Sequence, residues 1–360
     1  MDFALTEDQR FIQESARSFL ADAAGPDAQR AAVESATGFD EGLWASLAGE
    51  MGFAGLMVPE AHGGSGLGAV EMALVLEETG RTLAAVPFLE TAVLAVQAVL
   101  AAGNEAQKAD LLPKLATGQL KASFAGTADR PTLSGGRLTG TANYATFAHV
   151  ADLIVVATSD DSLVALPADM AGLTIEPLPT LDRTRRFARL TFDCTVPGAA
   201  ILGTAGGAAP AIARVLTIGA GLLAAEQTGG AQFCLDATVD YAKQRVQFGR
   251  VIGSFQAYKH MLADMMVLIE ASRSAALYAA AAIDEDGNEL AEACHVAQSW
   301  AADCYRRCSG DAIQLHGGIG FTWEHHAHLY FKRARATSAW LGTPEQHREA
   351  LAKIILQENA

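Results

Sequence analysis

Along the first third of the chain, apolar residues recur three and four positions apart, the spacing that gives a helix one buried face. Phe11, Ile12, Ala16, Phe19 and Leu20 form the first such stripe. Just ahead of it, Thr6 followed three residues later by Gln9 is a capping box. The same period predicts helices near 40–50, 69–81, 86–102 and 105–117. Between two of them, Val58 to Gly66, with Pro59, Gly63 and Gly64, predicts a turn-rich loop.

Near residue 120 the period shortens to that of strands. Leu153–Ala157, Ser162–Leu166, Leu173–Ile175 and Ala188–Phe192 are β-type runs, set apart by Gly135-Gly136, Asp160-Asp161 and Pro177 to Pro179. Short strands with such turns predict a small β barrel or sandwich. From about residue 207 the helical period returns, over 208–245, 254–284 and 287–313, then 324–338 and 344–357. Gly219, Gly221 and Gly229-Gly230 predict that the first of these bends or breaks. Ser254 is placed to N-cap the second. The expected fold class is mainly α with a central β domain. An N-terminal α-helical domain spans 1–120, a small β barrel 121–205 and a C-terminal four-helix-type bundle 206–360.

Composition narrows the function. With 26 Lys+Arg against 41 Asp+Glu, the 360 residues carry a formal charge of −15, which disfavours nucleic-acid binding. The start carries Asp2, Glu7 and Asp8 rather than a basic, apolar leader, and no uncharged apolar run reaches roughly 18 residues. Neither a secreted nor a membrane-spanning protein is expected. Five cysteines, Cys194, Cys234, Cys294, Cys304 and Cys308, point to reduced thiols in a cytosol. Cys304 and Cys308 lack a second pair for zinc. Glu324, His325 and His328 lack a further ligand at metal spacing, so no metal is expected.

Two motifs carry chemistry. Arg245-Val246-Gln247-Phe248-Gly249-Arg250, followed by Ser254 and Gln256, is a loop between helices whose guanidinium can fork onto phosphate oxygens. Gln314-Leu315-His316-Gly317-Gly318-Ile319-Gly320 ends a helix with glycines that let a ligand approach the backbone. Taken singly, an exposed arginine loop and an ordinary helix C-cap explain them as well.

Taken together they resemble the acyl-CoA dehydrogenase family, as do the Leu5-Thr6-Glu7-Asp8-Gln9 start, the Val58–Gly66 loop and the central β domain. The resemblance covers the whole chain. It implies non-covalent FAD, a tetramer built as a dimer of dimers, desaturation of an acyl-CoA substrate and electron delivery to an electron-transfer flavoprotein. It further implies that Arg245, Phe248 and Gln256 contact the adenosine diphosphate half of an FAD held by the neighbouring subunit. Gln314, Gly317 and Gly318 form its backbone cradle. In the β domain, Gly140 to Thr146 matches the family's flavin strand, with Tyr144 stacked on the ring and Thr146 hydrogen-bonded near N5. Thr343 completes the implied cofactor-binding set.

Two departures stand out. The family's Thr-Glu-Pro-x-x-Gly-Ser-Asp flavin loop is replaced by the shorter Ala125-Gly126-Thr127-Ala128-Asp129-Arg130-Pro131. Where the family places its catalytic Glu, in Tyr-Glu-Gly-Thr, this chain reads Trp340-Leu341-Gly342-Thr343. The family's alternative base position falls at Gly219 or Ala220, and the nearest carboxylate on that helix is Glu226. Three readings follow. The chain resembles the short, base-lacking subunits of bacterial heteromeric acyl-CoA dehydrogenases, familiar from steroid breakdown, which clamp a homologous partner's FAD. Alternatively it is a self-sufficient homotetramer with a displaced base, Glu226 first and Glu345 next. Or it is a flavin-free binding or assembly protein on the same fold.

Overall fold

The computed structural model describes residues 4–358. The helices are α1 (Glu7–Ala23), α2 (Pro26–Glu34), α3 (Glu41–Trp44), α4 (Ala69–Arg81), α5 (Val96–Ala102), α6 (Glu105–Ala116), α7 (Ala209–Gln244), α8 (Gln256–Glu285), α9 (Leu290–His316), α10 (Ala327–Trp340) and α11 (Pro344–Glu358). The strands are β1 (Ala122–Ala125), β2 (Thr132–Ser134), β3 (Arg137–Thr146), β4 (Leu153–Ala157), β5 (Leu163–Pro167), β6 (Leu173–Pro177), β7 (Phe187–Thr195), β8 (Ile201–Leu202), β9 (Val246–Gln247) and β10 (Arg250–Val251). The expected class, mainly helical with a central β region, is the one observed. By compactness the described residues fall into two units. One gathers the segment up to Gln29, Ala69–Ala84 and the chain from Ala220 onward; the other gathers 30–68 and 85–219.

In the first unit α8, α10 and α11 pack on α9, while α1 and α8 pack on α4. The capping box opens α1 as its sequence requires: Gln9 N–H donates to the Thr6 hydroxyl at 3.1 Å, and Thr6 N–H to the Gln9 side chain at 3.0 Å. The glycines of α7 do not break it; the helix runs unbroken for 36 residues. They serve close approach instead. A Cβ on Gly221 would overlap the Cys294 sulfur, one on Gly229 the Glu77 carbonyl, and one on Gly230 the Tyr305 ring; from the α4 side, one on Gly80 would overlap the Glu226 carbonyl. α7 and α8 are each long and apolar enough to cross a bilayer, and the most apolar stretch of α7 is 61% buried within the protein, as suits a core helix.

Ser254 does not cap α8. It sits in the tight turn Ile252–Ser254, where its hydroxyl donates back to the Val251 carbonyl at 2.7 Å. Phe255 becomes the cap residue, with no side-chain hydrogen bond to the helix end.

The second unit holds the sheets. One has the order β1-β4-β5-β8, with β1 parallel to β4; the other has the order β2-β3-β7-β6, antiparallel throughout. Their facing residues share one core, Ile154, Val156 and Val164 from the first sheet meeting Leu138, Leu190 and Phe192 from the second. The alternation of β7, buried and exposed in turn from Ala188 to Thr195, is the pattern of a strand with one wet face. The segment expected as one helix over 86–102 begins with a wide π-helical stretch, Leu89–Ala95, fully buried, before tightening into α5. Beside it the Arg185 guanidinium meets the Glu90 carboxylate at 3.2 Å, both buried.

Candidate functional site

The first cluster of candidate residues forms at the α7–α8 junction. β9 and β10 pair as a minimal hairpin, Gln247 opposite Arg250, and the two residues between them, Phe248 and Gly249, have φ of +53° and +77°. Two left-handed residues in a two-residue turn are the type I′ geometry that matches strand twist. Glycine adopts it freely; a phenylalanine does so against steric resistance. Phe248 is 92% exposed at this tip, with Phe255 edge-on at 6.2 Å and the Arg250 guanidinium stacked 4.0 Å above the Phe255 ring. Strained residues of this kind cluster at ligand clamps and switch regions.

The second motif ends α9. Gly317 has φ +64° and ψ −147°, a conformation essentially confined to glycine, and it turns the chain sharply out of the helix. The Tyr258 hydroxyl on α8 donates to the Leu315 carbonyl at 3.0 Å, fixing the helix end against α8. Together these elements line an open cavity of about 510 Å³, with Arg245, Phe248, Gln314, Gly317 and Gly318 among its lining residues. Gln256 opens α8 next to it without lining it. Tyr241, Tyr258 and His316 line it as well. Tyr241 was legible as the residue one turn before Arg245, and His316 as the middle of the glycine motif; neither stood out from ordinary core residues.

The lining fits the adenosine diphosphate half of FAD. Arg245 offers a fixed positive charge and a bidentate fork for pyrophosphate. Among the described residues, a Cβ on Gly317 or Gly318 would meet no atom within 4 Å beyond its own stretch of chain, so the bare backbone faces open space that a ligand can enter.

In the β domain, Tyr144 sits at a bulge where the β3–β7 register shifts between Ala142 and Ala145; it has φ +63° and is 53% exposed, its ring edge-on to Phe187 at 6.1 Å. Thr146, two residues on, is buried. Its carbonyl accepts from the Ser123 hydroxyl at 2.7 Å, and its own hydroxyl oxygen has no partner among the described residues. Such an orphaned buried hydroxyl fits a strand that meets a ligand. The shortened loop ahead of it folds onto itself and onto β3. Arg130 Nε donates to the Gly126 carbonyl at 3.0 Å, Asn143 donates to Asp129 at 2.6 Å, and Arg189 Nε donates to Asn143 at 2.9 Å.

No carboxylate stands at either base position. Leu341 is buried at the C-cap of α10, and Ala220 is buried within α7. The turn after Leu341 is clamped by His347, whose Nε2 lies 3.1 Å from the Leu341 carbonyl and whose Nδ1 lies 2.9 Å from Nδ1 of His295. Thr343 caps α11: Gln346 N–H donates to its hydroxyl at 3.3 Å, and Thr343 N–H to the Gln346 side chain at 2.8 Å. Glu226 is buried with its carboxylate 2.9 Å from Nη1 of Arg333. Glu345 is exposed, and hydrogen bonds from its own backbone N–H and from Thr343 hold its carboxyl below the usual range. Among the described residues no group of three or more His, Cys, Asp or Glu side chains gathers as metal ligands. His325 instead accepts the Ala327 N–H on Nδ1 at 3.1 Å.

The chain matches the N-terminal domain of acyl-CoA dehydrogenases over residues 6–119 and the C-terminal domain over 206–356. It is 37% identical over 356 residues to the acyl-CoA dehydrogenase IpdE2 of Mycobacterium tuberculosis, covering 97% of this chain and 96% of that protein. Among solved structures it superposes on a chain of the ChsE4–ChsE5 complex from Mycobacterium tuberculosis with a TM-score of 0.91, at 27% identity over 99% of each chain. It superposes on a variant of the Tcur3481–Tcur3483 steroid ACAD with a TM-score of 0.87, at 33% identity over 98% of this chain and 99% of that one.

Proposed function

This chain belongs to the acyl-CoA dehydrogenase family, oxidoreductases acting on the CH–CH bond of CoA thioesters, and from that premise we propose that it is the cofactor-clamping, base-lacking subunit of a heteromeric enzyme. One observation carries the proposal. No position at which the family would keep its proton acceptor carries a carboxylate here, while the Arg245–Gly318 cavity is lined by groups suited to a dinucleotide.

FAD, when bound, supplies the acceptor for the hydride that leaves the β carbon. The rest falls to protein groups. Removing the weakly acidic α proton needs a positioned carboxylate, and Leu341 cannot take a proton. The carboxylate base therefore comes from a homologous partner subunit. Arg245 holds pyrophosphate oxygens, Phe248 covers a flat ring, and Gln314 with the Gly317–Gly318 backbone seats the adenosine side. The tied-back loop from Gly126 to Arg130 supports the same division of labour, because it is committed to its own strand. Electrons leave to an electron-transfer flavoprotein. The steroid and two-component names of the structural relatives support a steroid-derived acyl-CoA substrate and a hetero-oligomeric state. The ion pair with Arg333 counts against Glu226 as a displaced base in a homotetramer, since a buried carboxylate held by an arginine is a poor proton acceptor.

The test is to purify the chain alone and together with a co-encoded acyl-CoA dehydrogenase subunit, recording flavin absorbance and native mass. A yellow hetero-oligomer that bleaches with an acyl-CoA, beside a solitary chain that does not, is the expected result. A solitary chain that binds flavin and bleaches overturns it.

A further inference from the structure

We propose that His316 is a further cofactor-binding residue, whose Nε2 accepts a hydrogen bond from a neutral donor on the adenosine half of the dinucleotide. This rests on the reading of the Arg245–Gly318 cavity given above.

His316 is the last residue of α9, directly before the Gly317 turn, and it lines that cavity while being only 4% exposed. Its Nδ1 lies 2.7 Å from the Ala312 carbonyl oxygen. A carbonyl carries no proton, so the hydrogen must sit on Nδ1, and in the neutral ring Nε2 is then a bare lone pair. That nitrogen is buried and has no partner among the described residues. A buried acceptor without a donor is costly, and contact with water or a ligand is one way a native protein meets that cost.

The surroundings keep the ring neutral. Tyr241 stacks on it at 4.6 Å and His325 lies against it at 4.3 Å. Burial holds the imidazole below its ordinary range. His325 accepts a backbone N–H on Nδ1, so it too is a neutral neighbour. A neutral Nε2 cannot bind phosphate, which offers only acceptors. It suits an exocyclic amine or a ribose hydroxyl. Within this cavity the Arg245 guanidinium supplies donors only, and His316 adds a fixed acceptor to those of the Gln314 amide oxygen and the backbone carbonyls.

The experiment uses the flavin-binding assembly, reversibly stripped of flavin. His316→Phe keeps a ring in the stack and removes the acceptor; His316→Gln places an amide oxygen near the position of Nε2. Dissociation constants are measured for FAD, for flavin hypoxanthine dinucleotide, which lacks the amine donor, and for an analogue lacking the adenosine ribose hydroxyls. Weakening of FAD by about five- to tenfold in His316→Phe, and by less than about threefold in His316→Gln, is expected. One of the two analogues should bind wild type correspondingly weakly and bind His316→Phe no differently from FAD. That loss of discrimination is a signature a purely structural role would not give. Wild type binding both analogues as tightly as FAD overturns the assignment, and this arm stands even where His316→Phe fails to assemble. Unchanged FAD affinity in a folded His316→Phe overturns it too. If Arg245→Ala loses flavin while His316→Phe does not, only this inference fails; if Arg245→Ala keeps full flavin, the cavity reading itself fails.

Discussion

The Glu226 carboxylate lies 2.9 Å from Nη1 of Arg333, joining α7 to α10 inside the helical unit with both side chains buried. Breaking a buried pair from one side strands the remaining charge and costs roughly 3–5 kcal/mol. Glu226→Gln and Arg333→Met are therefore each expected to lower the urea midpoint strongly, and the double variant to lie closer to wild type than either. Turnover per folded assembly should stay within about tenfold of wild type. A well-folded Glu226→Gln assembly that keeps its flavin but loses turnover by the roughly 10²–10⁴ expected for a missing base would return Glu226 to catalysis.

Arg245 is the one fixed charge singled out in the cavity as its pyrophosphate ligand. Hydrogen bonds to charged groups contribute about 1.5–3 kcal/mol. Arg245→Ala should thus weaken FAD and ADP by about 10- to 100-fold, measured by calorimetry on the stripped assembly. Added salt should weaken wild type more than the variant, because the screened contact is the one removed.

The glycines divide into two classes with opposite signatures. At Gly229 a new Cβ would collide with the Glu77 carbonyl, backbone that cannot step aside, whereas at Gly318 it would meet nothing. Gly229→Ala is expected to destabilise by about 1–3 kcal/mol or more with flavin affinity unchanged in the folded fraction. Gly318→Ala should unfold at the wild-type midpoint and lose flavin affinity. The reverse pattern would mean that the cradle is misplaced.

Histidines set the acid limit. Burial lowers His325 and His347 from 6.5 to about 4, and lowers His149, His295 and His316 in the same direction. The folded form of such a group stays neutral where the unfolded form has already bound a proton. Its stabilising contribution is therefore complete above about pH 6.5 and is lost as the pH falls toward about 4. Near pH 5, His325 and His347 together account for about two protons taken up on unfolding. The slope of stability against pH should fall by about one proton in His347→Gln, and subtracting the variant from wild type cancels the carboxylates both share. An unchanged slope would place His347 outside the buried pair with His295.

Most of the fold was readable because it rests on local periodicity. The ranges expected for α4, α6 and α11 agree with those observed to within a residue or two at each end. What failed depended on partners distant in sequence. The glycines of α7 read as breaks, since in isolation they weaken a helix; Glu77 and Tyr305, brought alongside by the fold, make them necessary. Ser254 looked like a cap until the preceding tight turn claimed its hydroxyl. At the candidate site, residue identity singled out Arg245 and Gln314, whose chemistry is distinctive and which line one cavity. His316 stayed hidden because nothing in the chain order says that Ala312 fixes its tautomer and leaves the other nitrogen idle.

The projecting Phe248 has a consequence for the solitary chain. A bulky aromatic held in left-handed backbone leaves its ring in water until something covers it. If a partner sheathes that tip, solitary and assembled chains differ most in solvent contact at this one ring, and its shielding reports assembly directly.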